Sequence, residues 1–293
     1  MKLTTNGRTV ERIEANAEDL FSTGHVCAKG LSLKELENDP DRIRTPLIKE
    51  GSGFRAVTWD EAFAVVNERL NGVIDQYGPG AVATYTGNPS AHNIGLAMGL
   101  GAFSSTLQTQ HSYSAGTVDQ IPKHLASELM FGNPMAVPVP DIARSSFLLM
   151  LGANPIVSNG SLWMVPDFRG KLREFKDRGG QFVTVDPRRT ETARLADEHV
   201  FIRPGGDAWL LIALINELNR LGLCIPSRYS VEGDDLLIAR LSAISLDDAA
   251  TACGVAEEQI KILAAQLHEA TRPVVYGRVG TTLQRHGTLT SFL

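Results

Sequence analysis

The sequence has no long apolar run, no paired cysteines and no excess of basic residues. Because it contains no stretch of about 18 apolar residues, we expect no membrane-spanning segment. The polar residues directly after Met1 predict no signal peptide. Acidic residues outnumber basic ones, 33 to 28, and the net charge of −5 disfavours a nucleic-acid partner. What remains, 293 residues with 43% hydrophobic and 21% charged side chains, predicts a globular protein of one or two domains.

The three cysteines build no familiar site by their spacing. Without a Cys-x-x-Cys pair, the sequence predicts neither a disulfide framework nor a zinc site made of cysteine alone. Cys224 and Cys253 lie in apolar surroundings and are predicted core residues. Cys27 stands between Gly24 and Gly30 and is either a small buried residue or a metal thiolate. This cysteine usage favours a reducing, cytoplasmic compartment.

Local signals organise the first part of the chain. Asn6-Gly7 predicts a β-hairpin. Thr58 with Glu61 three positions later is a capping box, and the helix that it starts is predicted to end at Gly78. A buried strand over residues 81–86 and a helix over about 92–103 are predicted to follow.

From residue 146, apolar strands alternate with helices. Strands are predicted over 147–151, 182–185 and 199–202, and helices over 168–178 and 208–221, the latter capped by Asp207. Strands that are apolar at every position are typical of a parallel sheet covered on both faces. The predicted fold class is therefore α/β: Rossmann-like parallel sheets with helices on both faces, preceded by a small irregular or β N-terminal segment.

Each of these strands ends in a loop whose chemistry suits a nucleotide. The first offers a glycine and an amide, the second a carboxylate for a ribose hydroxyl and cations for phosphate, and the third backbone amides at a helix start. One such loop is more often an ordinary turn or cap, but three in succession favour nucleotide binding at the strand ends. A G-x-G-x-x-G fingerprint is absent, which disfavours a plain NAD site. The candidate cofactor-binding residues are Gly152, Asn154, Pro155, Asp186, Pro187, Arg188, Thr190, Gly205 and Asp207.

Residues 246–260 are spaced like a DNA-binding helix-turn-helix. The second helix of that pair would open with Glu257 and Glu258, whose carboxylates repel phosphates, and only Lys261 opposes them. A packed helical pair is the better interpretation, and a DNA-binding regulator is disfavoured.

An ordered series of short motifs runs along nearly the whole chain. It begins with Gly24-x-x-Cys27-x-Lys29-Gly30, Asp41-Arg42-Ile43-x-x-Pro46-Leu47 and Thr58-Trp59-Asp60-Glu61-Ala62. It continues with Gly152-Ala153-Asn154-Pro155, Val185-Asp186-Pro187-Arg188-Arg189-Thr190-Glu191-Thr192-Ala193, Ala196-Asp197 and Pro204-Gly205-Gly206-Asp207. In order and spacing the series resembles the molybdopterin oxidoreductase family, which includes dimethyl sulfoxide reductase, formate dehydrogenases and nitrate reductases.

The resemblance implies an enzyme that carries molybdenum or tungsten on two molybdopterin guanine dinucleotides. Such an enzyme performs two-electron redox chemistry or oxygen-atom transfer on a small-molecule substrate, and the three loops would hold the guanosine and phosphate ends of one dinucleotide. Tyr113-Ser114-Ala115-Gly116 is similar to the family's segment around a serine ligand of the metal. Ser114 is therefore the predicted metal ligand, with Ser112 and Asp119 as alternatives.

Two further residues gain a role from the resemblance. Lys29 matches the lysine between a [4Fe-4S] cluster and a pterin, and Cys27 matches the fourth cysteine of the cluster motif. The three preceding cysteines are missing, so either a cluster is absent or an N-terminal part is. Because family members are more than twice as long, we expect the 293-residue chain to be inactive alone. We also expect a partner subunit for electron transfer, and a periplasmic location stays open if an export signal precedes the chain.

The resemblance also divides the chain into four segments. Residues 1–55 would be the remnant of an iron–sulfur domain, and 56–110 the first part of an α/β pterin-binding domain. Residues 111–270 would form the Rossmann-like dinucleotide-binding domain, and 271–293 would return to the second domain. The alternative function is a non-catalytic nucleotide-binding α/β module.

Overall fold

The computed structural model describes residues 1–222 and 233–293. The chain divides into two units: unit 1 comprises residues 1–16 and 26–116, and unit 2 comprises residues 17–25 and 117–293. The predicted core residue Cys224 lies outside the described residues. Among the helices within the two described ranges, none combines the length and apolar character needed to cross a bilayer.

Unit 1 is built from short strand pairs and helices. In chain order its elements are β1 (Lys2–Thr5), β2 (Val10–Glu14), α1 (Ala28–Leu31), α2 (Leu33–Asn38), β3 (Leu47–Glu50), β4 (Gly53–Ala56), α3 (Trp59–Tyr77), β5 (Thr84–Thr86), α4 (Pro89–His92), α5 (Ile94–Thr106) and β6 (Ser112–Ser114). β1 pairs with β2 and β3 with β4, both antiparallel, whereas β5 and β6 are parallel.

The predicted hairpin and the predicted long helix of unit 1 are confirmed. Asn6 Oδ1 accepts the backbone amides of Arg8 and Thr9 across the turn. Thr58 Oγ1 accepts the backbone amide of Glu61 at 3.2 Å and so caps α3. The Glu61 carboxylate does not complete a capping box, because it pairs with Arg55 at 2.6 Å instead.

Two neighbouring predictions in unit 1 differ from the structure in extent. The strand predicted over 81–86 is limited to β5, because a short 3₁₀ turn occupies Pro79–Ala81. The helix predicted over about 92–103 is divided into α4 and α5 at Asn93, whose side chain caps α5 by accepting the backbone amide of Leu96 at 2.9 Å.

Unit 2 holds the alternating strands and helices. In chain order its elements are α6 (Ile121–Phe131), β7 (Phe147–Leu151), α7 (Pro155–Ser158), α8 (Phe168–Asp177), β8 (Gln181–Val185), β9 (Glu198–Val200), α9 (Asp207–Arg220), α10 (Asp234–Ser242), α11 (Leu246–Cys253), α12 (Glu257–Glu269), β10 (Pro273–Gly277), α13 (Val279–Thr282) and α14 (Gly287–Phe292).

The core of unit 2 is a four-stranded parallel sheet in the order β10-β7-β8-β9. Alternate residues of β7 enter different cores: Phe147, Leu149 and Leu151 pack with α9, α11 and α12, whereas Leu148 and Met150 pack with α8. Every residue of β7 is buried, as a strand covered on both faces requires. The predicted α/β fold class, with parallel strands between helices, is confirmed.

The winding of the sheet reverses at its first strand. β8 and β9 follow β7 on one side, whereas β10 joins β7 on the other side. The apolar run Pro273–Gly277 pairs along β7 and forms an edge strand of this sheet. The assignment of residues 271–293 as a return to a second domain stays a prediction. The gap between β7 and β10 is the topological switch point, where open α/β sheets bind ligands.

The helical pair at residues 246–260 is packed, as predicted. Ala249 and Cys253 of α11 and Ile260 and Leu263 of α12 are buried in the same core cluster as α9. Cys253 is a core residue, and burial raises the pKa of its thiol.

Candidate functional site

The candidate site lies where the strands of unit 2 end, around the switch point. Gly152 follows β7 with φ of 53°, and its carbonyl accepts the amide of Gly280, which follows β10, at 3.0 Å. A Cβ atom added to Gly152 would lie 2.8 Å from Cα of Gly280. Glycine at both positions therefore lets the two loops touch through their backbones.

Asn154 joins the loop after β7 to the loop after β8. Its Nδ2 donates to Glu191 Oε2 at 2.8 Å, and its Oδ1 accepts from the Thr192 hydroxyl at 2.7 Å. The backbone amide of Ile156, beside the buried Pro155, donates to the same threonine oxygen at 3.2 Å. The pKa of Glu191 is lowered by its own backbone amide and by Asn154. The amide predicted to face a ligand thus holds the site together from within.

The loop after β8 presents its charges outward. Asp186 Oδ1 accepts the backbone amide of Arg188 at 2.8 Å, which fixes a tight turn with Pro187 exposed. The side chains of Arg188 and Arg189 are exposed. Thr190 is buried, and its hydroxyl accepts the amide of Ala193 at 3.0 Å. Arg188 and Arg189 therefore lie at the surface of the loop, where Arg188 Nη2 is 3.6 Å from Glu191 Oε2, whereas Thr190 stabilises the loop.

Asp207 does not cap α9 as predicted. The N-cap is Gly206, and a Cβ atom there would lie 2.7 Å from Cα of Cys253, so only glycine fits. Asp207 becomes the first helical residue, two positions after the exposed Gly205. Its carboxylate is 5% exposed and accepts from Gln284 Nε2 at 2.7 Å. Burial raises the pKa of Asp207, and the hydrogen bond from Gln284 opposes that rise.

Two residues of the loop after β10 were not anticipated from the sequence. Gln284 meets Asp207 through one amide nitrogen, while its Oε1 is buried without a hydrogen-bond partner. Arg278 is 7% exposed, and its Nη2 lies 2.7 Å from Asp119 Oδ1. The only sequence signal for this loop is the polar run that follows the glycine after β10.

The predicted metal-site residues lie in unit 1, except for Asp119. Ser112 and Ser114 are exposed on β6, and Ser114 Oγ accepts the amide of Gly116 at 3.2 Å. Cys27 is half-buried at the start of α1, and Lys29 is exposed on that helix. Across residues 1–222 and 233–293, no group of three or more His, Cys, Asp or Glu side chains is arranged to hold a metal ion.

Comparison with known proteins identifies related sequences. Residues 42–220 match the molybdopterin oxidoreductase family model. The catalytic subunit of the assimilatory nitrate reductase of Bacillus subtilis is 27% identical over 90% of this chain and 37% of its own length. The alpha subunit of the F420-dependent formate dehydrogenase of Methanocaldococcus jannaschii is 27% identical over 96% of this chain and 40% of its own length.

A third relative and one solved structure complete the comparison. The molybdopterin-containing subunit of the thiosulfate reductase of Salmonella typhimurium is 30% identical over 71% of this chain and 26% of its own length. The acetylene hydratase of Pelobacter acetylenicus shares the fold, with a TM-score of 0.77 at 21% identity, over 99% of this chain and 40% of that one. The matched regions thus make up 26% to 40% of the proteins compared. The family-model match, which extends over more than half of the sequence, shows that this chain belongs to the molybdopterin oxidoreductase family.

Proposed function

We propose that this protein serves molybdopterin-dependent redox chemistry, by two-electron transfer or oxygen-atom transfer on a small-molecule substrate. The observation that carries the proposal is the meeting of the loops after β7, β8, β9 and β10 at one edge of the sheet, in a chain of this family. The cofactor would be molybdenum or tungsten on two molybdopterin guanine dinucleotides, and when bound it supplies the metal that changes oxidation state. The chain's own residues bind and orient one dinucleotide.

The start of α9 fits the guanine base. Guanine presents N–H donors at N1 and N2, and the buried Asp207 carboxylate and the unpartnered Gln284 Oε1 offer acceptors to such donors. Adenine has no hydrogen at N1 and would leave a buried acceptor unpaired, which is costly. The site is therefore expected to prefer guanine over adenine.

The loops after β7 and β8 fit the sugar and phosphates. Gly205 is exposed and has no side chain, so a ligand can approach its backbone closely. Gly152 contributes through its contact with Gly280, which holds the loops after β7 and β10 together. Asp186 uses one carboxylate oxygen in its turn, and the other is assigned to a ribose hydroxyl. The exposed guanidinium groups of Arg188 and Arg189 are assigned to phosphate oxygens.

On the metal side, Ser114 is the proposed protein ligand and Ser112 the alternative. Asp119 is the weaker alternative because its carboxylate already pairs with Arg278. Lys29 and Cys27 are assigned to electron transfer between a pterin and, if present, an iron–sulfur cluster. Relatives named as subunits support the proposal of a partner that transfers electrons.

Calorimetric titration with GDP and ADP tests the assignment of the base site. We expect GDP to bind at least about tenfold more tightly than ADP. Asp207→Asn removes the charged acceptor and should weaken GDP binding about 10- to 100-fold, the range for a charged hydrogen bond. The matched control is Asp177→Asn, which makes the same change at an exposed position at the end of α8.

The control variant should bind GDP within about twofold of the unmodified protein. Equal affinity for the two nucleotides, or full GDP affinity in Asp207→Asn, would contradict the assignment.

A further inference from the structure

A cavity of unit 2 borders the switch point, because Leu151, the last residue of β7, and Gly277, the last residue of β10, are among its lining residues. It has a volume of about 220 Å³, and its lining includes Lys123 and Ser127 of α6, Tyr276 and Gly277 of β10, Thr281 of α13 and Ser291 of α14. None of the nine candidate cofactor-binding residues is among its lining residues. The proposed redox function assigns it no role.

Lys123 brings a positive charge to this cavity without a matching carboxylate. Its ammonium lies 5.3 Å from the centre of the Tyr276 ring, a cation–π contact. Within the described residues, it makes no ion pair within 4.0 Å. Burial, and then the charge of Arg278, lower the pKa of Lys123 to about 8. Leu293, the last residue of the sequence, also lines the cavity, but its carboxylate makes no ion pair with Lys123. The part of the wall around Lys123 is therefore electropositive.

Arg278 adds a buried charge next to the half-buried Lys123. Its Nη2 pairs with Asp119, but Nε and Nη1 are buried without a hydrogen-bond partner. Asp119 thus pairs with Arg278 and leaves Lys123 without a carboxylate partner in the described part of the chain. The helices α13 and α14, which supply other walls, contain no ionisable side chain. His124 and Glu128 are the remaining ionisable groups near Lys123 on α6.

We propose that this cavity binds a small oxyanion, such as phosphate, through the Lys123 ammonium. An anion there would balance the excess charge, because buried charges require a counter-charge or hydrogen bonds. Arg278 does not line the cavity and contributes only through its charge. The volume is below the roughly 300–1,000 Å³ of pockets for drug-sized ligands, which excludes a whole nucleotide, and it exceeds the roughly 30 Å³ that a water occupies.

Titration of the full chain with inorganic phosphate in a calorimeter tests the proposal. A single charged contact in a small cavity predicts a Kd on the order of 1 mM. Lys123→Met should weaken phosphate binding at least about tenfold, whereas Lys123→Arg, which keeps the charge, should retain it within about threefold. Lys261→Met, at an exposed helical position, is the matched control and should bind as the unmodified protein does.

A GDP titration of Lys123→Met separates this site from the proposed cofactor site. The GDP affinity of Lys123→Met should equal that of the unmodified protein. The two titrations therefore test the guanine assignment and the phosphate site independently. The proposal is overturned if phosphate gives no saturable binding, if Lys123→Met and Lys261→Met lose it equally, or if Lys123→Met loses GDP and phosphate together. Because Lys123 carries no ion pair, its substitution should leave the thermal unfolding midpoint nearly unchanged, which confirms folding of the variant.

Discussion

The side chain of Asn154 is fully engaged inside the protein. Its three hydrogen bonds reach Glu191 and both the amide and the hydroxyl of Thr192, which is fully buried. Asn154→Ala would leave the buried amide and hydroxyl of Thr192 without this acceptor and is expected to lower the free energy of unfolding by about 2–3 kcal/mol. Urea denaturation measures the change, with Asn219→Ala at an exposed position of α9 as the control. Equal losses in the two variants would contradict the bridging role.

Asp207 gives a pH-dependent test of the buried carboxylate. Its folded-state pKa is raised by burial, so the folded protein binds this proton more tightly than the unfolded chain does. The stability that Asp207 contributes is therefore present below the unfolded-state pKa and is lost as pH rises through the raised value. Asp207→Asn stays neutral and keeps an acceptor for Gln284, so at pH 7 it should be more stable by about 1 kcal/mol.

The gain should shrink toward about pH 4, where the carboxyl approaches its neutral form in both states. Denaturant midpoints of the two proteins at pH 7 and pH 4 measure it. Asp177→Asn should change stability by less than about 0.5 kcal/mol at either pH. A gain of the same size at both pH values would contradict a buried, ionised Asp207. Together with weaker GDP binding, the predicted gain would show that this carboxylate costs stability for the sake of its ligand.

Sequence patterns identified those site residues whose role is visible in the neighbouring few residues of the chain. Turn and strand-end chemistry indicated Gly152, Asp186 and Gly205, and the structure brings these loops to one edge of the sheet. The partner of Asp207 is Gln284, 77 residues away, and a contact at that distance leaves no periodic signal. The same holds for Arg278 and its carboxylate. Asp207 was misassigned as a cap because the close contact at Gly206, which moves the helix start, comes from another element.

At the scale of elements, central strands were predictable and peripheral ones were not. β7 and β8 are continuous apolar runs, and the structure places them within one residue of the predicted bounds. The strand predicted over 199–202 is observed as β9, which starts one residue earlier and ends at Val200, so only two of the predicted residues pair with β8. The place of β10 beside β7 depends on sheet winding, which the sequence pattern does not encode.

The switch point between β7 and β10 depends on two glycines in contact. Gly152→Ala or Gly280→Ala would drive a Cβ atom into backbone at less than 3 Å, and Gly152 also has positive φ. We expect each substitution to lower the free energy of unfolding by more than about 2 kcal/mol. The loss is measured by urea denaturation of the protein, with unfolding monitored by the near-ultraviolet signal.

Gly72 is the matched control, because it lies inside α3 with no atom within 4 Å of an added Cβ. Gly72→Ala should stabilise the protein by about 0.5–1 kcal/mol, since alanine restricts the unfolded chain and favours the helix. The predicted effects have opposite signs. Tolerance of alanine at Gly152 would contradict the backbone contact between the loops.

At the scale of the whole molecule, the family-model match shows the family and the fold match shows the fold, although the fold match has low sequence identity. The family match covers residues 42–220, and the fold match covers 99% of the chain at only 21% identity. Motif order identified the family, because the glycines and charged residues at the strand ends of this chain lie in the order and spacing that the family resemblance rests on. The matched region makes up 26% to 40% of the relatives compared.

The central claim is that unit 2 holds the guanine dinucleotide of a molybdopterin cofactor. The most direct test is cofactor analysis of the protein, expressed with whatever coding sequence flanks it, in a host that makes the cofactor. Pterin fluorescence, released guanine nucleotide, and molybdenum or tungsten are quantified on one purified sample. We predict pterin and guanine nucleotide in equal amounts, together with the metal. Guanine nucleotide without pterin or metal would contradict the claim and would identify a non-catalytic nucleotide-binding module instead.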